Sequence, residues 1–479
     1  MCKSMSEGGK RCTPGMTANE RRNMVRRLNR LDPSSEEYQN LDGRIKELDS
    51  AREEYGNCVS PLSIPIPEGV QNVLETITSK GFTPLLVGGT VRDAMIGGIT
   101  PKDFDIEVYG ADIDTLEHSL RSAGYRVDEV GKQFGVLKIA TKGETRDDID
   151  ISVPRSDSLV GAGHRGFDVE MDSEMSVEEA SRRRDFTFNA LMWDYRYHAM
   201  IDPHNGAHDL QAGVLRHVST AFAEDPLRSL RGFQFASRFN MTINPDTAQF
   251  CRELYPQAKD MAVERIATEW EKFYHKAKYP SKGMLAMRDI GWSGHAPGLN
   301  NVNNEVLDQR VDKVLAVAQR DNLTNGKKTT LYAATIMRDM NNAEAEGFAR
   351  TTLIGKDNQR FPLYLRAVRP TKNMSNYEVK RLAQHLSKKN LSVEDWSRYE
   401  EISGDKTLAS EVLHKAKTLN VASEHETPYI QGRDILPLTT RKPGKWMSVL
   451  LAEAEEKQYR GEFKDSEEAT DWVKEQLAK

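Results

Sequence analysis

Residues Leu85 to Gly110 read LLVGGTVRDAMIGGITPKDFDIEVYG, and this run decides the fold. A short apolar strand enters the pair Gly88-Gly89, a helix follows from Thr90, and a second strand carries Asp103 and Asp105. Side chains alternate across a strand with period two, so the two aspartates share one face and can share divalent cations. Oxygen-only ligands of this kind favour Mg²⁺, with Mn²⁺ as a substitute. Gly88 and Gly89 leave backbone amides uncovered, which lets a triphosphate approach them; a bare strand-to-helix turn would carry the same glycines. Asp-x-Asp occurs three times, as Asp103 with Asp105, Asp112 with Asp114, and Asp148 with Asp150. The first is distinguished by its context, the glycine turn and the pair Arg92-Asp93 set one helix before it. Asp150, in the later strand Ile149 to Val153, can close a three-carboxylate cluster as ligand or base; otherwise it is a solvated acid at a strand end.

Outward from this run, β-type stretches at Pro84 to Val87, Phe104 to Val108, Phe134 to Ala140 and Ile149 to Val153 alternate with helical ones. The spacing predicts an α+β catalytic head over residues 70–218, a mixed sheet with helices. After Ala223 the periodicity is helical nearly throughout, as in Leu227, Leu230, Phe233 and Ala236. A helical neck over 219–290 and a helical body and tail over 291–479 are expected. Residues 1–59 predict a basic leader and a helical hairpin, with Leu41, Ile45 and Leu48 at helical spacing and a DPSS turn at Asp32 to Ser35. The first 31 residues hold eight Lys/Arg (Lys3, Lys10, Arg11, Arg21, Arg22, Arg26, Arg27 and Arg30) against Glu7 and Glu20, enough to meet RNA phosphates unless they simply form a solvated face. Residues 60–69, with three prolines, read as a linker.

At 479 residues the chain has material for several cores. Its net charge of −5 excludes a uniformly basic nucleic-acid binder, so an anionic partner must be met by local patches. No stretch is apolar enough to span a bilayer and no secretory leader is visible, which predicts a cytoplasmic protein. Cys2, Cys12, Cys58 and Cys251 form no Cys-x-x-Cys pair, and free thiols are expected.

Two further clusters carry chemistry. Arg183, Arg184 and Asp185 suit phosphate oxygens and ribose hydroxyls, because guanidinium forks match phosphate geometry. Asn189, four residues on, shares a face with Asp185 if the segment is helical. Asp225 and Arg228, three apart, would present an acceptor and a forked donor side by side on one helix face, or else form an N-terminal capping acid with a routine ion pair. Arg231 lies one turn beyond. Arg155 and His164 stand in glycine-bearing, polar stretches, and no histidine shows metal-ligand spacing.

In order, LLVGGTVRD with DFDIEV, Arg182 to Leu191 (RRRDFTFNAL), Asp202 to Leu210 (DPHNGAHDL), Glu224 to Arg228 (EDPLR) and Glu264 to Lys272 (ERIATEWEK) resemble the motifs of the class II tRNA nucleotidyltransferase and bacterial poly(A) polymerase family. That resemblance, which covers residues 82–275, implies an enzyme that extends RNA 3′ ends without a nucleic-acid template. It implies Asp103 and Asp105 as metal ligands, with Asp150 a third catalytic carboxylate. It implies a nucleotide site of Gly88, Gly89, Arg92, Arg183, Arg184, Asp185, Asn189, Asp225, Arg228 and Arg231. Asp225 would accept from the exocyclic amine of cytosine or adenine and Arg228 would donate to ring acceptors, a pattern neither G nor U offers. GKQFGV resembles the CCA-adding type, so CCA addition to tRNA from CTP and ATP is expected, with poly(A) synthesis the alternative. The C-terminal half is similar to a His-Asp-type phosphohydrolase region in which the dyad reads Arg338-Asp339. The resemblance thus implies a helical RNA scaffold, with Lys327, Lys328, Arg366, Arg369, Lys372, Lys380 and Arg381 as phosphate contacts.

Overall fold

The structure is a computed structural model, and it describes residues 15–97, 103–128, 131–132, 135–140, 148–159 and 167–479. Lys3, Lys10, Arg11 and His164 lie outside the described residues. The chain divides into two compact units, residues 1–261 with 286–292, and residues 262–285 with 293–479.

The first unit is built on a sheet of eight strands. In chain order the strands are β1 (Val59–Pro61), β2 (Thr83–Val87), β3 (Asp103–Tyr109), β4 (Val127–Asp128), β5 (Val136–Ala140), β6 (Asp148–Ser152), β7 (Arg155–Leu159), β8 (Phe167–Met171), β9 (Met192–Asp194), β10 (Ala199–Ile201), β11 (Val214–Leu215) and β12 (Thr242–Ile243). The large sheet runs β1-β10-β9-β2-β3-β6-β5-β4, while β7 with β8 and β11 with β12 form two small ribbons. Within the large sheet β3 and β6 are parallel, with Asp103 opposite Asp148 and Asp105 opposite Asp150. The other pairings in that sheet are antiparallel.

The helices of this unit are α1 (Gly15–Leu28), α2 (Glu36–Tyr55), α3 (Glu68–Ser79), α4 (Gly89–Ile96), α5 (Ile113–Ser122), α6 (Val177–Ser181), α7 (Gly206–Ala212) and α8 (Leu227–Phe239), followed by Pro245–Leu254. Val70, Val73, Leu74 and Ile77 of α3 and Leu116 and Leu120 of α5 pack in one core with Phe104, Ile106 and Val108 of β3. On the other face Leu48, Ala51 and Tyr55 of α2 meet Leu85 and Val87 of β2 and Met192 of β9. Because β3 alternates, burying its aromatic and aliphatic residues under α3 and α5 commits Asp103, Asp105 and Glu107 to the opposite face.

Two expectations about the leading region are corrected. The hairpin of α1 and α2 forms as the periodicity predicts, yet α2 is part of the head's core. The segment 60–69 is not a linker throughout: β1 pairs with β10, Leu62 O accepts from Trp193 Nε1 at 2.8 Å, and Ile64 is buried. Proline is tolerated at the end of a short edge strand, where the missing N–H removes no ladder bond, so a proline-rich composition did not prevent pairing.

The second unit is helical. Trp270, Phe273 and Tyr274 of helix Val263–Lys276 meet Tyr332 of helix Asn325–Ile336 and Phe348 of helix Asn342–Thr352 in an aromatic core. Helices Lys445–Arg460 and Ser466–Ala478 close a smaller core around Ile435, Leu450, Phe463 and Val473. Among the described residues no helix is long and apolar enough to cross a membrane.

Candidate active site

Gly88 is the hinge of the site. It turns out of β2 with φ +70°, a conformation that costs glycine little, and its N–H donates to Leu191 O at 3.0 Å. A Cβ there would sit 3.3 Å from Arg184 Nη1, so the missing side chain is what lets a guanidinium stand against the turn. At Gly89 a Cβ would fall 3.5 Å from Arg92 Nη2.

Asp103 and Asp105 are exposed on β3, and among the described residues neither side chain makes a hydrogen bond or ion pair. Loss of solvation pushes the Asp105 carboxyl above its ordinary range; Asp150 and Asp103 push the same way, and Arg184 and Lys138 oppose them. Two exposed carboxylates side by side on one strand face fit a hard divalent ion. Among the described residues no group of three His, Cys, Asp or Glu side chains is gathered to hold one, so water and substrate oxygens would fill the rest of the shell. The third expected carboxylate is Asp150. Asp150 stands beside Asp105 in register, but its carboxylate pairs with Lys138 across the sheet at 3.1 Å. Of the other Asp-x-Asp motifs, Asp112 caps α5 by accepting from Thr115 N at 2.8 Å and Asp114 pairs with Lys132 at 2.7 Å.

Glu107 is the residue that sequence reasoning missed. It is fully buried and accepts from Arg183 Nη2 at 3.0 Å and Tyr109 Oη at 3.0 Å, with Arg184 Nη2 at 3.6 Å. Burial alone would raise its pKa, but Arg184, Arg183 and Tyr109 hold it below the ordinary carboxylate range. Among the described residues the buried Nε atoms of Arg183 and Arg184 meet no hydrogen-bond partner. The signal was available, since Glu107 continues the period-two series Asp103, Asp105, Glu107; its burial was not.

Asp185 anchors a second network. Its Oδ1 accepts from Asn189 Nδ2 at 3.0 Å and from Phe186 N at 2.7 Å, and its Oδ2 accepts from Arg231 Nε at 2.6 Å. Burial would raise Asp185, yet Arg231 and these donors hold it below the usual carboxylate range. Asn189 Oδ1 in turn accepts from Arg92 Nη1 at 2.7 Å. Arg92 itself is buried, paired to Asp93 at 2.7 Å and stacked 4.8 Å from the centre of the Phe239 ring. Arg92, Asn189 and Asp185 therefore form one buried chain leading to Arg231. The stretch Thr187–Asn189 is a single 3₁₀ turn rather than a long helix, and the link between Asn189 and Asp185 survives because that turn is tight.

The expected helix face shared by Asp225 and Arg228 is also corrected. Helix α8 starts at Leu227, and Asp225 precedes it with extended backbone (φ −131°, ψ 97°) because the following proline disfavours the helical region. Asp225 Oδ1 accepts from Leu227 N at 3.2 Å, and Arg228 Nη1 donates to Ala221 O at 2.5 Å. Burial lowers Arg228, while Asp185, Asp225 and Glu224 raise it. Asp225 thus reaches the region of Arg228 electrostatically from outside the helix. His204, half-buried against Ser181 Oγ at 2.8 Å, is pushed down to about 4 by loss of solvation and is neutral at pH 7.

Residues 85–216 match the family described as "Poly A polymerase head domain". That match covers 132 of the 479 residues and makes the head similar to the class II tRNA nucleotidyltransferase and bacterial poly(A) polymerase family. Residues 240–301 match "Probable RNA and SrmB- binding site of polymerase A". The chain is 36% identical over 208 residues to the "Multifunctional CCA protein" of Chromobacterium violaceum, an alignment covering 43% of this chain and 48% of that one. It is 42% identical over 209 residues to the protein of the same name from Xanthomonas oryzae, with the same two shares. The chain thus spans about half the length of the curated relatives it matches. Among solved structures, the Bacillus stearothermophilus CCA-adding enzyme in complex with CTP aligns with TM-score 0.60 at 18% identity, over 85% of this chain and 97% of that one. The Thermotoga maritima CCA-adding enzyme complexed with tRNA aligns with TM-score 0.56 at 18% identity, over 86% and 96%. These likenesses establish the fold.

In the second unit, positions resembling a phosphohydrolase dyad are occupied by ion pairs. Arg338 clamps Glu400 through both terminal nitrogens at 2.8 and 3.2 Å, and Asp339 pairs with Arg310 at 2.5 Å. The cations expected to contact phosphates each have a protein partner. Lys327 pairs with Asp395, Lys372 with Asp405, Lys380 with Glu426 and Arg381 with Glu456. Lys328 donates to His275 O, Arg366 to Asn342 Oδ1 and Arg369 to Val368 O.

Proposed function

We propose that the protein is a template-independent RNA nucleotidyltransferase that adds or repairs the 3′-terminal CCA of tRNA, using CTP and ATP with Mg²⁺. The observation that carries this reading is the open carboxylate pair Asp103 and Asp105, with a guanidinium pair held on Glu107 and Arg184 set against the turn at Gly88. Asp103 and Asp105 would hold a divalent ion, which would supply charge neutralisation at the triphosphate and activation of the attacking RNA hydroxyl. Arg183 and Arg184 would supply guanidinium donors for phosphate oxygens beside the Gly88 turn. Asp185, tied to Arg231 and Asn189, holds the neck helix against the head at the nucleotide. Asp225 accepts from the exocyclic amine of cytosine or adenine while Arg228 donates to ring acceptors, so the protein itself plays the part of a template.

The test is incorporation of labelled CTP and ATP, alone and together, into tRNA transcripts ending before CCA and after CC, and into an unrelated RNA, with Mg²⁺ or with EDTA. Ordered addition that stops after CCA on tRNA supports the proposal. Long ATP-only tails on any RNA would replace it with poly(A) synthesis, and silence on all substrates would overturn both.

A further inference from the structure

The arginines of α1 sort onto two faces. Arg21 pairs with Asp49 through two bonds of 2.6 Å, and Arg27 pairs with Glu37 at 2.5 Å, so both fasten α1 to α2. Met24, between them in projection, packs toward the core below. Arg22, Arg26 and Arg30 fall at i, i+4 and i+8 on the opposite face, Arg30 in the turn that continues the helix through its N–H to Arg27 O at 3.0 Å. All three are exposed, and among the described residues none makes an ion pair. Asn23 and Asn29, also exposed, project beside them. Over residues 22–30 the stripe therefore holds three cations and two amides, with no acid and no apolar side chain among the described residues. The neighbouring α2 exposes mostly acids, Glu36, Glu37, Glu53 and Glu54, beside Lys46. Arg22 and Arg26 stand one helical step of about 6 Å apart along the axis, close enough to engage neighbouring phosphates of one RNA strand.

We infer that this stripe is a docking surface for the phosphate backbone of the RNA substrate, an inference that rests on reading the protein as an RNA-extending enzyme. Its place in the fold sets its role. Helix α1 packs on α2 and on β1 at one edge of the sheet, and β10, β9 and β2 separate β1 from β3. Four strand spacings put it about 20 Å from Asp103 across the sheet. At that range the arginines meet RNA away from the reacting 3′ end and contribute to affinity, leaving the transfer step alone.

The experiment measures affinity for a tRNA transcript lacking CCA between 50 and 200 mM salt, for the full chain and for R22A/R26A/R30A. Removing three phosphate contacts should flatten the plot of log K against log salt by about 2, weaken binding at least about tenfold at the low-salt end, and leave transfer at saturating RNA and the KM for CTP unchanged. R22K/R26K/R30K should keep most of the slope. An unchanged slope in the alanine variant, with folding verified by thermal unfolding, overturns the docking surface. If the wild-type chain binds RNA with the steep slope but incorporates no nucleotide, the enzyme reading fails and the surface stands; if it incorporates normally while the variant binds like wild type, the reverse holds.

Discussion

The head and the helical unit each contain a cluster of acids and arginines, and they differ in whether the charges close on one another. In the helical unit Arg338 is spent on Glu400 and Asp339 on Arg310. In the head, among the described residues, Asp103 and Asp105 make no ion pair, and Arg183 and Arg184 share one carboxylate, Glu107. Closed pairs satisfy themselves and stabilise the fold, whereas separated, incompletely compensated charges await a ligand.

The largest test of that contrast is D103A/D105A. Loss of the metal-binding pair should lower nucleotide incorporation at least about a thousandfold while leaving RNA affinity in place; turnover near wild type would remove these residues from the metal site. Next, E107Q leaves two guanidiniums around a neutral amide, and a broken buried charge pair of this kind costs about 3 kcal/mol. The variant should unfold at lower denaturant and show a raised KM for both CTP and ATP, with base selectivity kept. D225A should relax selection of C and A over G and U by about tenfold before it lowers the rate, as expected for loss of one charged hydrogen bond; unchanged selectivity would detach Asp225 from the base.

R338M probes the closed side. It should destabilise the protein by about 3 kcal/mol, because Glu400 is left buried without its partner, and incorporation per folded molecule should not change. The smallest effect concerns pH. Arg320 and Arg398 hold Asp321 down to about 2. A depressed carboxylate stabilises the folded state above its unfolded value of about 3.9, and that contribution disappears as pH falls through about 2. D321N should therefore be less stable than wild type by about 1 kcal/mol at pH 7, and the gap should vanish between pH 4 and 2 in acid unfolding curves.

Much of the site was legible because it depends on local periodicity. The strands at 83–87, 103–109 and 148–152 follow from alternation, and the parallel register then sets Asp150 beside Asp105. Strands β9 and β10 escaped notice because three residues are too few to show a period, and β1 was masked by prolines. Glu107 was overlooked for a different reason. Its spacing matched its two neighbours, but only packing of Tyr109, Arg183 and Arg184 around it turns an ordinary strand acid into a buried anchor.

The sequence by itself determined the glycine turn, the acidic face of β3 and the helical character beyond Ala223, because these rest on backbone preference and on periods of 2 and 3.6 residues. The tertiary structure decided which charges remain available. Lys138 meets Asp150 from an adjacent strand, Arg92 is buried through Asn189, and Pro226 holds Asp225 outside the helix that carries Arg228. Coulomb attraction and desolvation act between groups brought close in space, and chain spacing alone does not say which residues those will be.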